Sequence, residues 1–591
     1  MNRFQEKTSL FLFILSTYIS TIWINFYYLS SKNVDFYFYY DYINYFIGAG
    51  ADFNSGHGTL YYFLISYLFK SKFEFITESN LLTIISYSVQ NINFLFYLIG
   101  IFGIYKLLKF YKINNSLILL SLTAFNFFPQ SIYMRAVMKP EILGFATLPW
   151  ILYFLNLFKK DKDHIYLYYC IPFLGIALTS KPSIAGMIVF YLLVFYGHLL
   201  KFIKPKNLII LLIVFLIILL LSYSETFLIT SNNFLEREYD ANYDNVAPFS
   251  IIYKASIREV FTKPFFDYEY QLNKYSTHAN SIINLTILDT FGDYFTQLFD
   301  FNGNYFFKNR KDLFTTEGET FINKNRVIKY SGPYGLVLET NLNLVRKSIS
   351  SILTILFYIV VVILIFKDKK NRDVYFMPFV GIFILFINSL GIPSSNFNPF
   401  LGDTFKTFYY SFLISITFIF VNIKILKNLK IFKTFFVLFW IILIFFIAGH
   451  PKKVDQSFSE YLITSNQYSI FCEVNNFLIF ENEVLEKIHR SGNSNNLKSD
   501  CNEKGELRIK STNNDYLGRD GQECVINNKI NHELRDKYFC TYPIVYFLST
   551  DKNYVSSPNY PFFSLLLFLI VFLILIFEKK MIKKVRLKNN N

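Results

Sequence analysis

The stretch LIILLIVFLIILLLSYS, residues 208–224, runs from Leu208 to Ser224 without one charged side chain. A bilayer core takes roughly 20 apolar residues per helix, and a charge near its centre is costly. This run therefore reads as a transmembrane helix, and comparable runs lie on both sides of it. Taken together they predict about 12 spans, near residues 8–30, 84–105, 114–133, 142–158, 165–180, 183–200, 208–224, 349–366, 375–392, 406–423, 434–448 and 562–577. Of 591 residues, 53% are hydrophobic and only 17% charged, a balance that soluble domains do not show. The class expected is an all-α polytopic membrane protein.

A net charge of +15 raises the question of an anionic partner. Placement answers it. With a cytoplasmic N-terminus, seven short segments on one face collect 25 basic residues. They are Arg3 and Lys7, Lys106–Lys112, Lys159–Lys162, Lys201–Lys206, Lys367–Arg372, Lys424–Lys433, and the tail from Lys579. This is the positive-inside pattern. It predicts cytoplasmic termini, an even number of spans and membrane-lipid contact, with no role for nucleic acid. The first run is long for a signal peptide and no small-residue cleavage site follows it, so it is expected to stay as a helix.

Three large segments then face outward: 31–83, 225–348 and 449–561. Four of the five cysteines, Cys472, Cys501, Cys524 and Cys540, fall in the last, while Cys170 lies in a span. No CxxC pair is present, which favours two disulfides in an oxidising compartment over zinc. A small extracytoplasmic disulfide-containing domain is expected at 449–561. It would sit between a transmembrane module, 1–448, and a last span with a basic tail, 562–591.

No P-loop, HExxH, GxSxG or strand-borne GxGxxG occurs, which counts against ATP-driven transport and hydrolysis. Charge gathers instead at outer span ends. In NVDFYFYYDYINYFIGAGADFNSGHGTLYYFL, residues 33–64, two aromatic amphipathic segments, 36–47 and 59–69, flank a glycine-rich loop. Such segments tend to lie in the membrane interface. Asp35 and Asp41 then sit at the outer surface, where an ionisable group is a functional candidate; the plain alternative for Asp35 is a solvated helix start.

This stretch resembles the first outer loop of the C-type superfamily of integral-membrane glycosyltransferases, which includes the protein O-mannosyltransferases and the lipid A aminoarabinose transferase. Further stretches are similar to the same relatives. MRAVMKPEILGF (134–145) carries Arg135, Lys139 and Glu141, and TSKPSIAGM (179–187) carries Lys181. LGDTFKTFYYSFL (401–413) carries Lys406 and Tyr409, and INLTILDTFGDYF (283–295) carries Asp289 and Asp293. The similarity covers roughly residues 1–420 and leaves 449–561 outside.

The resemblance implies transfer of a sugar from a polyprenyl-phosphate carrier to an extracytoplasmic glycan, lipid or protein. That reaction needs a carboxylate to take the acceptor's proton and cations to meet the leaving phosphate. Asp35 is the expected base, and Asp41 orients the acceptor or forms a structural ion pair. Arg135, Lys139, Lys181 and Lys406 are the candidate phosphate grips, although a lysine at a span end is more often a snorkelling anchor. Asp289 and Asp293 are candidates for acceptor sugars, with helix capping as the alternative. Glu141, His57 and Tyr409 complete the expected substrate-side set. One base and no nucleophile predict inversion at the anomeric carbon. The loop lacks the adjacent Asp–Glu pair of some relatives. Asp35 and Asp41 are six residues apart, about 240° around a helix, so they do not share a face to chelate one ion together; this counts against a divalent metal without removing it as an alternative, and no other cofactor is indicated.

A transporter or flippase for lipid-linked saccharide fits the span count too, but it would place charge at the midplane. Here Asp, Glu, Lys and Arg are nearly absent from the span interiors. A polysaccharide polymerase or ligase would call for an Arg/His pair on a late outer loop, for which His450 is the nearest candidate.

Overall fold

The computed structural model describes residues 3–28, 36–47, 58–72, 81–229, 341–391, 407–429, 433–448 and 560–590, with isolated residues and strands of two to five residues between 286 and 526. The first ten helices are α1 Arg3–Tyr27, α2 Phe36–Ile47, α3 Thr59–Lys70, α4 Leu81–Phe110, α5 Asn115–Phe125, α6 Pro129–Ala136, α7 Glu141–Asp161, α8 Ile165–Ser180, α9 Pro182–Tyr196 and α10 Pro205–Ile229. Five more follow: α11 Asn341–Lys367, α12 Arg372–Gly391, α13 Ser411–Asn428, α14 Lys433–Ala448 and α15 Phe562–Asn590.

Among the described residues, eight helices are long and apolar enough to cross a membrane, or nine if one bent pair counts as a span. This is an integral membrane protein. The expected count of about 12 is higher, for reasons visible in the chain. The run at 114–133, expected as one span, is α5 and α6 bent by 66° at a short break. Pro129 stands at the start of α6 and Phe128 is extended, so α5 cannot continue through them. The runs at 165–180 and 434–448 form helices of 16 residues each, short for an upright span. The run at 375–392 lies mainly in α12.

Burial ranks the helices from centre to lipid. Every residue of α7 from Glu141 to Phe154 is buried inside the protein, whereas only 11% of Pro205–Ser222 is. On α10 the side chains of Leu212, Ile213, Leu216 and Leu220 are exposed, an apolar surface of the kind that lipid covers. Helix α7 is thus the axis of the bundle. Its packing on α4 depends on small residues: a Cβ at Gly100 would lie 2.7 Å from the Phe145 carbonyl oxygen, and one at Gly103 would lie 2.7 Å from the Trp150 ring nitrogen.

Helix α1 is tied into this bundle. The Asn126 amide, just after α5, donates to the Ser16 and Thr17 hydroxyls of α1 at 2.7 and 3.0 Å. The last helix, α15, also belongs to it, since Glu578 pairs with Lys106 of α4 and accepts from Tyr153 of α7, both at 2.7 Å. Of the expected 449–561 domain, the described parts are Leu507–Lys510 paired antiparallel with Glu523–Ile526, and His450–Pro451 paired with Phe299–Asp300. Cys472, Cys501 and Cys540 lie outside the described residues, Cys524 lies on a strand opposite Ile509, and Cys170 in α8 is a free thiol.

Candidate functional site

Two Lys-Pro dipeptides build the site. Lys139 links α6 to α7, and Lys181 links α8 to α9. A following proline pushes the preceding residue out of the helical region, and the Lys181 backbone is extended (φ −159°, ψ 123°). Each lysine therefore stands where one helix has ended and the next has not begun. Because α7 starts and α8 ends at the same side of the bundle, the two come together.

Lys181 Nζ lies 2.8 Å from Glu141 Oε1 in the first turn of α7 and 4.4 Å from the centre of the Tyr409 ring. Lys139 Nζ lies 2.9 Å from the Tyr39 hydroxyl of α2, 4.6 Å from the Phe408 ring and 5.8 Å from the Tyr409 ring. Tyr409, in the 3-10 turn Thr407–Tyr410, thus meets both ammonium groups. The Thr407 hydroxyl anchors that turn by donating to the Thr286 carbonyl at 2.9 Å. Aromatic faces attract cations and leave them little hydrated. Glu141 is 1% exposed and, among the described residues, its Oε2 has no hydrogen-bond partner. Buried polar atoms are normally satisfied, so this oxygen is an acceptor open to a ligand's hydroxyl.

A second layer fixes the Lys139 backbone. Its N–H donates to the Tyr61 hydroxyl at 3.1 Å, and that hydroxyl donates to Asn93 Oδ1 at 2.8 Å. The Asn93 amide donates to the carbonyls of Arg135 and Val137 at 3.1 and 2.9 Å, groups left open where α6 ends. Burial pushes the Tyr61 phenol up, so it stays a neutral donor. Helices α2 and α3 form where aromatic segments were expected, and Tyr39, Tyr42 and Tyr62 pack between them with ring centroids 4.9 to 6.2 Å apart.

The expected site residues sort as follows. Lys139, Glu141, Lys181 and Tyr409 converge. Arg135 is instead a packing residue: its guanidinium donates to the Ser131 carbonyl at 3.2 Å, the Ser20 hydroxyl at 2.8 Å and the Asn126 carbonyl, and stacks 4.6 Å from the Tyr97 ring. It braces the α5–α6 bend against α1. Asp41 lies on α2, but its side chain falls outside the described set. Asp35, His57, Asp289, Asp293 and Lys406 also lie outside the described residues. Among the described residues, no three His, Cys, Asp or Glu side chains gather to hold a metal.

Tyr39, Tyr61 and Asn93 were not singled out as site residues in the sequence. Many tyrosines line both aromatic segments, and only contact with Lys139 distinguishes two of them. Glu225 was missed as well. It accepts from the Phe563 and Ser564 N–H groups at 2.9 and 3.3 Å, from the Ser564 hydroxyl, and from the Thr59 hydroxyl at 3.5 Å. One carboxylate so caps α15 and joins it to the start of α3; burial raises its pKa against those hydrogen bonds.

No curated protein and no solved structure matches the chain. Residues 79–223, the stretch that carries Lys139, Glu141 and Lys181, match the family described as Dolichyl-phosphate-mannose-protein mannosyltransferase, a family of C-type glycosyltransferases.

Proposed function

We propose that this protein is a membrane glycosyltransferase that moves a sugar from a polyprenyl-phosphate carrier to a hydroxyl or amine acceptor outside the membrane. The observation that carries this is the pair of Lys-Pro ammonium groups on one tyrosine ring, with net charge of one sign beside the buried Glu141. Lys139, Lys181 and Glu141 together carry a net charge of +1, suited to a phosphate ester. Burial among aromatics strengthens each charge interaction by lowering the local dielectric. Family similarity over residues 79–223 supports a polyprenyl-phosphate donor.

In this reading Lys139 and Lys181 hold the donor phosphate, and Lys406, on the segment leading into the Tyr409 turn, adds to them. Asp35 takes the acceptor's proton as the acceptor oxygen or nitrogen attacks the anomeric carbon. The bond from that carbon to the phosphate oxygen breaks, and its electron pair leaves on the phosphate, which the lysines stabilise. Attack opposite the phosphate inverts the anomeric carbon. Glu141 Oε2 accepts from a sugar hydroxyl. Asp41, His57, Asp289 and Asp293 are assigned to the acceptor side.

Supporting the orientation, the opposite end of the bundle gathers Lys106, Lys159, Lys160, Lys369 and Lys370 around α4, α7 and α12. That end is assigned to the cytoplasm, with both termini, in a bacterial inner membrane.

The test is Asp35→Asn in the purified protein, supplied with polyprenyl-phosphate sugar and a glycan, lipid or protein acceptor. Asp35 precedes α2 by one residue and Tyr39 by four. Transfer should fall at least about 10²-fold with normal membrane expression. Full transfer by the variant removes Asp35 from the role of base, and a product of retained configuration rules out single displacement.

A further inference from the structure

The other end of the bundle holds a second constellation. Helix α7 has 21 residues, about 30 Å of rise, and separates Glu141 from the lysines at its far end. There a cavity of about 760 Å³ opens between the α4–α5 turn, the end of α7, the end of α9 and the start of α12. Its wall carries six cations: Lys112, Lys159, Lys160, Lys369, Lys370 and Arg372. They come from three separate parts of the chain, so no single helix end accounts for them.

Among the described residues, Asp373 is the one carboxylate that lines this wall. It accepts from the Tyr196 hydroxyl at 2.8 Å, and burial raises its pKa despite that bond and the nearby Lys159 charge. The Lys370 ammonium sits 5.7 Å from the Tyr111 ring, which orients it without neutralising it. Asn156 adds an amide to the same wall. The α9 side of the cavity presents the apolar Val194, itself 56% exposed, and Phe195 beside Tyr196 and His198.

We propose that this cavity binds the phosphate headgroup of an anionic membrane phospholipid, with its acyl chains leaving past Val194 and Phe195. A free phosphate would meet the same cations but gain nothing from an apolar exit, and the lateral position of that exit selects the lipid source. Basic pockets between helices at the cytoplasmic side of membrane proteins bind such headgroups by this balance of charge and oil. The site is independent of the sugar-transfer reading, because its residues lie at the opposite end of α7.

The full-length protein in detergent is titrated with cardiolipin, phosphatidylcholine or inorganic phosphate, and bound lipid is counted by native mass spectrometry. Cardiolipin should bind in preference to phosphatidylcholine. The double variant Lys159→Gln, Lys370→Gln should weaken cardiolipin binding roughly 30-fold, from the usual contribution of two membrane-proximal cations. Lys204→Gln with Lys206→Gln, cations outside the cavity wall, should leave binding within about threefold. Higher ionic strength must weaken binding by the unaltered protein, which keeps the test decisive if the double variant fails to fold. Equal effects of the two double variants, or equal binding of phosphatidylcholine, overturn the proposal. Displacement of cardiolipin by millimolar inorganic phosphate overturns the lipid assignment in favour of a soluble phosphate site.

Discussion

Replacing Lys139 by methionine removes one charge from the candidate site while keeping the length and flexibility of the side chain. Lys139 is 1% exposed, and its ammonium donates to the Tyr39 hydroxyl at 2.9 Å. An ammonium about 4 Å from a phosphate oxygen, at an effective dielectric of about 20, attracts it by about 4 kcal/mol. Part of that attraction is already present when the donor binds, so only the charge that develops as the phosphate leaves appears in turnover. Deleting one such stabilising group typically costs about 10²–10³ in rate. Stability should fall modestly, because the change also removes the hydrogen bond to the buried Tyr39 hydroxyl, a loss of about 1–3 kcal/mol. Lys139→Met should therefore stay folded in nanodiscs with a somewhat lower melting temperature. Its kcat/KM for a polyprenyl-phosphate sugar should fall about 10²–10³-fold. Wild-type turnover by a well-folded variant refutes the assignment of Lys139 to the phosphate. Collapse of folding together with activity refutes the claim that its role is chemical.

The Glu141–Lys181 pair predicts a double-mutant cycle. Glu141→Gln and Lys181→Gln should each destabilise by about 3 kcal/mol, and the double variant should be more stable than either, because each single change leaves one buried charge alone; additive losses by chemical denaturation remove the coupling. Gly100→Ala pushes a methyl against the Phe145 backbone and should cost about 1–3 kcal/mol, read as a lower melting temperature; a neutral result means α4 and α7 are not so close. Asp368 is paired with Lys424 at 2.5 Å. Burial alone would raise its pKa, but hydrogen bonds from Lys424, Asn371 and Tyr375 outweigh this and hold it below the usual carboxylate range. A depressed carboxyl stabilises above the unfolded pKa and loses that contribution on acidification. Asp368→Asn should hence lower the melting temperature at neutral pH, with the difference from the unaltered protein shrinking below about pH 4. A difference that grows on acidification has the wrong sign for this pairing.

Much of the architecture was legible one residue at a time. Apolar runs such as 208–224 require a membrane because no other arrangement satisfies their backbone and side chains together. Proline restricts the residue before it locally, so the two Lys-Pro pairs fall where helices end. Composition could not distinguish a straight span from a bent one at 114–133. That outcome depends on Pro129 together with partners for Asn126 and Arg135 on α1, more than 100 residues away in sequence.

Charge type and approximate depth were thus set by the chain alone. Which cations gather at one tyrosine ring and which brace the helices was decided only in three dimensions. Arg135 and Lys139 are four residues apart, yet one guanidinium is consumed by carbonyl and hydroxyl partners, while one ammonium rests among aromatic rings. The same holds for Tyr39 among its tyrosine neighbours and for the five lysines and one arginine of the far cavity. Local sequence sets what a residue can donate, accept or neutralise. Burial and distant partners determine how much of that capacity is left over.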